Sequence, residues 1–138
     1  LKGKSSKLVS ISDQTCEFAV VNPNFLGIKS NYSWMACTER KTGNAPLQAI
    51  KKINLETKEE LFWSAAPKGF VSEPIMVPKE GSKYEDEGYL LILIWNGSRR
   101  GSDLIILNSS NLEELATYEL PINIPHGLHG SWANEKLI

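Results

Sequence analysis

The sequence predicts an all-β fold built from short antiparallel strands. Apolar residues alternate with polar residues or cluster in short runs, and turn-forming residues separate these runs. No stretch sustains the i, i+3, i+4, i+7 repeat of an amphipathic helix. Both observations favour strands over helices along the whole chain of 138 residues.

The first half of the chain predicts strands over residues 7–11, 15–21, 32–38, 47–54 and 61–65. The first two are separated by Ser12-Asp13-Gln14, whose side chains favour turns. A loop through Asn22-Pro23-Asn24 and Gly27 follows the second. The polar segment Glu56-Thr57-Lys58-Glu59 joins the last two strands and predicts a hairpin.

The second half predicts strands over residues 71–77, 89–95, 103–107 and 115–120, with residues 112–115 as a single helical turn. Because proline cannot donate to a strand ladder, Pro74 makes the first of these an edge strand or an irregular one. The other three form a meander, with Asn96-Gly97-Ser98 as the turn between the first two. Short antiparallel strands with polar turns are typical of a sandwich or a propeller.

Composition excludes several classes of function. A net charge of −1 gives no basic face for phosphates, so we expect no nucleic-acid partner. Only Cys16 and Cys37 could form a disulfide, and reduced thiols in a cytoplasmic protein are the default expectation. The longest apolar run, residues 89–95, is too short to span a membrane.

Both histidines of the chain lie in the segment Pro125-His126-Gly127-Leu128-His129-Gly130-Ser131-Trp132. Glycines flank His129 and allow the backbone an irregular path, which suits a side chain that must reach a shared metal ion. A His-x-x-His pair supplies at most half of the ligands of a zinc or iron site. The alternative is a surface turn with one packed histidine.

Two carboxylates are predicted on apolar faces of strands. Residues two apart share a face, so Glu17 lies with Ala19 and Val21, and Glu73 lies with Ile75. A buried carboxylate needs a partner, and the N–H of a metal-bound imidazole is a suitable one. The alternative is a solvated position on a strand with one wet face.

Other polar and aromatic residues are given no site role. We expect Glu85-Asp86-Glu87 to form a solvated loop. The four tryptophans are more often core or blade-packing residues than parts of a ligand tunnel, and the sequence does not separate these two uses. They are Trp34, Trp63, Trp95 and Trp132.

Several segments together resemble the carotenoid cleavage oxygenase family. Cys16-Glu17-Phe18 followed by Asn22-Pro23 resembles its Glu-Phe-Pro strand, and Ile53-Asn54-Leu55-Glu56-Thr57 resembles its D-L-x-T-G hairpin. Ser72-Glu73-Pro74-Ile75-Met76-Val77-Pro78 is similar to its Glu-Pro-Ile-Phe-Val-Pro segment. Residues 89–108 resemble its glycine-plus-apolar strand followed by S-x-L-x-I-L-D, and residues 125–132 resemble its closing Pro-x-G-F-H-G-x-W.

The resemblance implies a seven-bladed β-propeller with Fe(II) on its axis, held by four histidines and supported by three glutamates. On that pattern His129 is the last iron ligand, Glu17 and Glu73 are two supporting glutamates, and His126 is a neighbour of the site. Ala19, Leu128 and Asn54 depart from the family pattern without removing a ligand. The resemblance also implies that residues 1–138 are the carboxy-terminal blades, with the other ligands upstream of Leu1.

The activity implied for the complete enzyme is O₂-dependent cleavage of a conjugated double bond in a carotenoid or apocarotenoid, and the isolated segment is expected to be inactive. A cytoplasmic location is expected, and parts of the enzyme outside this segment could contact a membrane surface. Two alternatives stay open. The chain could be a metal-free propeller or sandwich that acts as a binding module, or a truncated and inactive remnant.

Overall fold

A computed structural model describes residues 5–41 and 46–133 of the chain. Its first sheet is an antiparallel meander in which the strands are neighbours in chain order, β1-β2-β3-β4. The strands are β1 (Cys16–Val20), β2 (Tyr32–Thr38), β3 (Leu47–Asn54) and β4 (Glu60–Ser64). The predicted hairpin between β3 and β4 is confirmed, and its turn is closed by the side chain of Asn54, which accepts the N–H groups of Glu56 and Thr57 at 2.9 and 3.0 Å.

The second sheet contains β5 (Gly69–Val71), β6 (Ile75–Pro78), β7 (Gly88–Asn96), β8 (Gly101–Asn108) and β9 (Glu114–Glu119). Its order is β5-β7-β8-β9, and β6 also pairs with β7. β5 and β6 are therefore two pieces of one edge strand, separated at Pro74 as the sequence predicts. The all-β prediction is confirmed, whereas the described residues form two sheets and not a closed propeller, so the seven blades stay a prediction.

The hydrophobic core lies between the two sheets. Trp34 and Ile50 from the first sheet pack with Leu90 and Ile92 from the second, and all four are fully buried. The indole N–H of Trp34 donates to the carbonyl of Ser109 at 2.9 Å, so this large side chain is buried without an unpaired donor. The opposite face of β7 is only half-buried, and it carries the groove described below.

Three local predictions are wrong. Residues 7–11 form no strand, and Leu8 is 99% exposed, because an apolar run becomes a strand only where it finds a sheet edge to pair with. Residues 112–115 form no helical turn, since Leu112 has a φ of 60°, outside the right-handed helical region, and β9 begins at Glu114.

The third wrong prediction is the solvated loop at residues 85–87. Glu85 is only 6% exposed, and its carboxylate accepts the backbone N–H groups of Asn31 and Tyr32. Asp86 pairs with the ammonium of Lys52 at 2.6 Å. This acidic loop therefore joins the second sheet to the start of β2 in the first.

Among the described residues there is no helix with the length and apolar character that a membrane span requires.

Candidate metal centre

Glu73 occupies the interruption in the edge strand of the second sheet. Ser72 keeps one more ladder bond, its N–H donating to the carbonyl of Leu93 at 3.0 Å, and Pro74 then ends the pairing of this piece. Released from the ladder, the side chain of Glu73 reaches across to the carboxy-terminal segment and is 14% exposed. The sequence thus places a carboxylate at a point where the strand must leave its regular path.

The carboxylate of Glu73 contacts two consecutive residues of that segment. Its Oε1 lies 3.2 Å from Nδ1 of His129, and its Oε2 accepts the N–H of Gly130 at 2.8 Å. In a neutral imidazole facing a carboxylate, the proton lies on Nδ1 and a lone pair lies on Nε2. The side chain of His129 is 69% exposed, so this lone pair is accessible to an incoming ligand.

Phe18 on β1 fixes the imidazole from another direction. The two rings meet edge to face, with centroids 5.9 Å apart and planes at 89°. Phe18 has a φ of 58°, and the pairing of β1 with β2 shifts register between Glu17 and Val20. Positive φ is unfavourable for a bulky residue, and such strain is concentrated at functional sites in proteins.

The structure does not bring Glu17 to His129. Glu17 is exposed and makes no hydrogen bond or ion pair within the part of the chain that the structure describes. The predicted apolar surroundings of Glu17 are therefore wrong for this chain, because Ala19 on the same side is exposed as well. Its role in supporting an iron ligand stays a prediction.

His126 lies near the same segment with a different neighbour. Its ring meets the ring of Phe70 edge to face, with centroids 6.5 Å apart and planes at 88°. Like His129, it lines the groove on the outer face of the second sheet. The interpretation of His126 as a neighbour of the site, and not a ligand, stays a prediction.

The groove has a cavity volume of about 250 Å³. Its floor is the half-buried face of the second sheet, and its wall is the segment from Ile124 to Gly130; the apolar floor residues are Leu91, Leu93, Trp95 and Leu104. Ser102 anchors the wall, because its hydroxyl accepts the N–H of Ile124 at 2.8 Å and lies 3.2 Å from the carbonyl of the same residue. The segment that carries both histidines is thus attached to the second sheet.

The described residues supply one candidate ligand of a metal centre, His129, and not a complete set. Within residues 5–41 and 46–133, no group of three or more His, Cys, Asp or Glu side chains converges in a way that could hold a metal ion. His129 offers one free imidazole nitrogen with a carboxylate behind the other, which is the usual arrangement of a metal-bound histidine. The remaining ligands of such a centre would have to come from elsewhere.

Phe18 and Gly130 are site residues whose contacts the sequence did not predict. A Cβ at position 130 would lie 2.9 Å from Cδ1 of Ile75, so glycine permits the close approach that lets its N–H reach Glu73. The sequence shows Gly130 as a residue that flanks His129, but it does not show that Ile75 lies beside Gly130. Phe18 was visible beside Glu17, yet its turn toward His129 depends on the register shift in β1.

Comparison with known proteins identifies relatives of the chain. The family model described as RPE65, retinal pigment epithelial membrane protein, matches residues 1–134. The apocarotenoid-15,15'-oxygenase of Synechocystis sp. is 46% identical over 120 residues, which are 86% of this chain and 24% of that protein. The chloroplastic carotenoid cleavage dioxygenase 8 of Arabidopsis thaliana is 34% identical over 113 residues, or 81% of this chain and 19% of that protein.

A solved structure agrees with the sequence comparison. Cobalt-substituted Synechocystis apocarotenoid oxygenase superposes with a TM-score of 0.86 at 44% identity, over 89% of this chain and 26% of that one. The chain therefore spans about a quarter or less of the length of these relatives.

Proposed function

Because the chain belongs to the RPE65 family, which includes the carotenoid cleavage oxygenases, we propose that it supplies one ligand of an iron centre to a longer oxygenase. In this proposal the two sheets are blades of a seven-bladed propeller, and the complete enzyme cleaves a conjugated double bond of a carotenoid or apocarotenoid with O₂. The names of the matched relatives support oxidative cleavage as the general reaction.

One observation carries the assignment of the ligand. Glu73 occupies the Nδ1 side of His129, so the nitrogen left for a metal is Nε2, on a side chain that is mostly exposed. Carboxylate contact also makes the imidazole a better electron donor and fixes its tautomer. A histidine in a merely structural turn needs neither property.

The other residues of the site act on the orientation of that imidazole. Gly130 donates to the second oxygen of Glu73, which prevents the carboxylate from rotating away from His129. Phe18 packs its ring against the imidazole at 89° and restricts its rotation. When bound, Fe(II) would supply the redox chemistry that allows O₂ to react with a conjugated double bond.

The test uses the full-length protein loaded with ferrous iron under anaerobic conditions. We expect the wild type to retain about one iron per protein and His129→Ala to lose it, measured by inductively coupled plasma mass spectrometry after desalting. Product formation from an apocarotenoid aldehyde, followed by loss of polyene absorbance, should fall with the iron content.

His126→Ala is the matched control, because His126 lines the same groove without contacting Glu73. It should keep its iron. Stoichiometric iron in His129→Ala would contradict the ligand assignment. A wild-type protein that binds no iron at all would instead support the metal-free binding module.

A further inference from the structure

Cys16 and Cys37 stand directly opposite each other on neighbouring antiparallel strands. The register of β1 and β2 pairs Cys16 with Cys37 and Glu17 with Ala36. Residues opposite each other in an antiparallel pair present their side chains on the same face of the sheet. The two thiols, 21 residues apart in the sequence by the difference of their numbers, are therefore neighbours in the fold.

The hydrogen bonds show which kind of pair the two cysteines form. The N–H of Thr38 donates to the carbonyl of Thr15 at 3.1 Å, so Thr15 and Thr38 form a hydrogen-bonded pair. Such pairs alternate with non-hydrogen-bonded ones, which makes Cys16 and Cys37 a non-hydrogen-bonded pair. The Cα atoms of these pairs lie about 4.5 Å apart, within the range of about 4.4–6.8 Å that a disulfide spans.

The two thiols differ in accessibility and reactivity. Both are free, Cys16 being half-buried and Cys37 fully buried. Burial, together with the neighbouring Cys16, raises the pKa of the Cys37 thiol to about 12, so this residue stays protonated at neutral pH. Because Cys37 is buried and protonated, the half-buried Cys16 is the thiol that an oxidant in solution can reach.

A positive charge lies close to Cys16. The ammonium of Lys51 donates to Oγ of Ser12 at 2.9 Å, and the same oxygen lies 3.9 Å from Sγ of Cys16. Glu60 pairs with this ammonium at 2.8 Å and offsets part of its charge. The hydroxyl of Ser12 therefore lies between the Cys16 thiol and the ammonium of Lys51.

We propose that Cys16 and Cys37 form a reversible cross-strand disulfide, which makes the start of β1 a site of oxidative modification by small disulfides of the glutathione type. The Cys16 thiolate attacks one sulfur of oxidised glutathione, forming a mixed disulfide and releasing one glutathione thiolate. Cys37 then loses its proton, attacks Sγ of Cys16 and releases the second glutathione. Two protein thiols are oxidised, and one glutathione disulfide is reduced to two thiols.

A disulfide between Cys16 and Cys37 would link the oxidation state of these two cysteines to the position of a strand that contacts the candidate metal centre. β1 also carries Phe18, whose ring packs against His129. A covalent link between the start of β1 and β2 restricts the movement of that strand. The proposal itself does not depend on iron or on an oxygenase activity.

The experiment is disulfide mapping of the purified full-length protein after incubation with oxidised glutathione. Trypsin releases Cys16 in the peptide of residues 8–29 and Cys37 in the peptide of residues 30–40, since lysine or arginine occupies positions 7, 29 and 40. We expect these two peptides to be joined and the glutathione adduct of Cys16 to be a minor species. Reductant should restore both free peptides.

Two variants test the proposed order of the steps, in which Cys16 reacts with glutathione first and Cys37 then forms the bridge. Cys37→Ser should accumulate the Cys16–glutathione adduct and stop there, and Cys16→Ser should leave Cys37 unmodified. The proposal is overturned if the wild type accumulates the adduct without joining the peptides, or if Cys37 reacts equally fast in the absence of Cys16. Wild-type mapping alone decides the first outcome, even if a variant fails to fold.

Discussion

Glu73 and His129 are 56 residues apart in the sequence, and a contact of 3.2 Å between Oε1 and Nδ1 joins them. Because the imidazole is mostly exposed, water screens this interaction, and even a fully charged exposed pair would contribute only about 0–1 kcal/mol to stability. Orientation of the ring is therefore a better account of the contact than stabilisation of the fold. The bond from Gly130 to the other carboxylate oxygen supports this view, since it fixes the position of the acceptor.

The first prediction concerns Glu73→Gln. A glutamine replaces one of the two carboxylate oxygens by an NH₂ donor, so it cannot accept at both the His129 and the Gly130 positions, and the preferred tautomer of the imidazole is lost. We expect the iron affinity of the full-length protein to fall about 10- to 100-fold. Iron titration against a competing chelator measures this change.

Glu80→Gln is the matched control for that change, because Glu80 is an exposed carboxylate near the end of the same edge strand. It should leave iron affinity unaltered. The ¹⁵N chemical shifts of His129 offer a readout without metal: in the wild type they should indicate a proton on Nδ1. Equal tautomer populations in Glu73→Gln and the wild type would contradict the orienting role.

The second prediction concerns the space beside Gly130. A valine there would push against Ile75, whose Cδ1 lies 2.9 Å from the position of an added Cβ. We expect Gly130→Val to displace the loop from Glu73 and to shift the backbone amide resonance of residue 130. Ile75→Ala in the same chain should restore most of the wild-type position, because it removes the obstructing atoms.

Gly127→Val is the control, since an added Cβ at position 127 meets nothing within 4 Å. It should leave the resonances of His129 and Glu73 close to their wild-type values. If both glycine variants perturbed His129 equally, general loosening of the segment would replace contact with Ile75 as the explanation.

The local pattern of apolar and polar residues predicted the regular strands well. The bounds of β2 and β3 match the prediction of residues 32–38 and 47–54, because alternating or clustered apolar residues between clear turns leave few other choices. The segment 7–11 shows the opposite case. Its pattern is strand-like, but a strand needs a pairing partner, and no local pattern shows whether one exists.

Contacts between distant residues were harder to predict. The resemblance placed Glu73 and His129 at one site, and the structure joins them. The same resemblance gave Glu17 a supporting role that stays a prediction; in the structure β1 shifts register beside it, Phe18 packs against His129 and Glu17 is exposed. Glu85 was missed because its burial depends on Asn31 and Tyr32, more than 50 residues earlier.

The third prediction tests that buried carboxylate. Glu85→Ala removes the acceptor of the N–H groups of Asn31 and Tyr32 and of the Ser30 hydroxyl. Donors left buried without a partner cost about 1–3 kcal/mol each, so the two backbone N–H groups alone should lower the free energy of unfolding by about 2–6 kcal/mol. Urea unfolding followed by tryptophan fluorescence measures it, with the exposed Glu80→Ala as control. A loss equal to that of the control would show that water replaces the carboxylate.

The fourth prediction is a pH dependence of stability that arises from Cys37. Burial raises the pKa of its thiol from 9.0 to about 12, so the group ionises more readily in the unfolded chain than in the fold. Well below pH 9 the thiol is neutral in both the folded and the unfolded state, and its full contribution to the free energy of unfolding is present. As the pH rises above this value, the unfolded state loses its proton first, and the free energy of unfolding decreases.

The comparison is between the wild type and Cys37→Ala, both kept reduced, by urea unfolding from about pH 7 to about pH 10. Alanine cannot ionise, so the difference in stability between the two proteins isolates this one thiol from the lysines and tyrosines that titrate in both. We expect the advantage of the wild type to shrink by about 1 kcal/mol across that range. A difference that stayed constant would mean that Cys37 ionises as easily in the folded protein as in the unfolded chain, and that its burial between β1 and β3 is not maintained in solution.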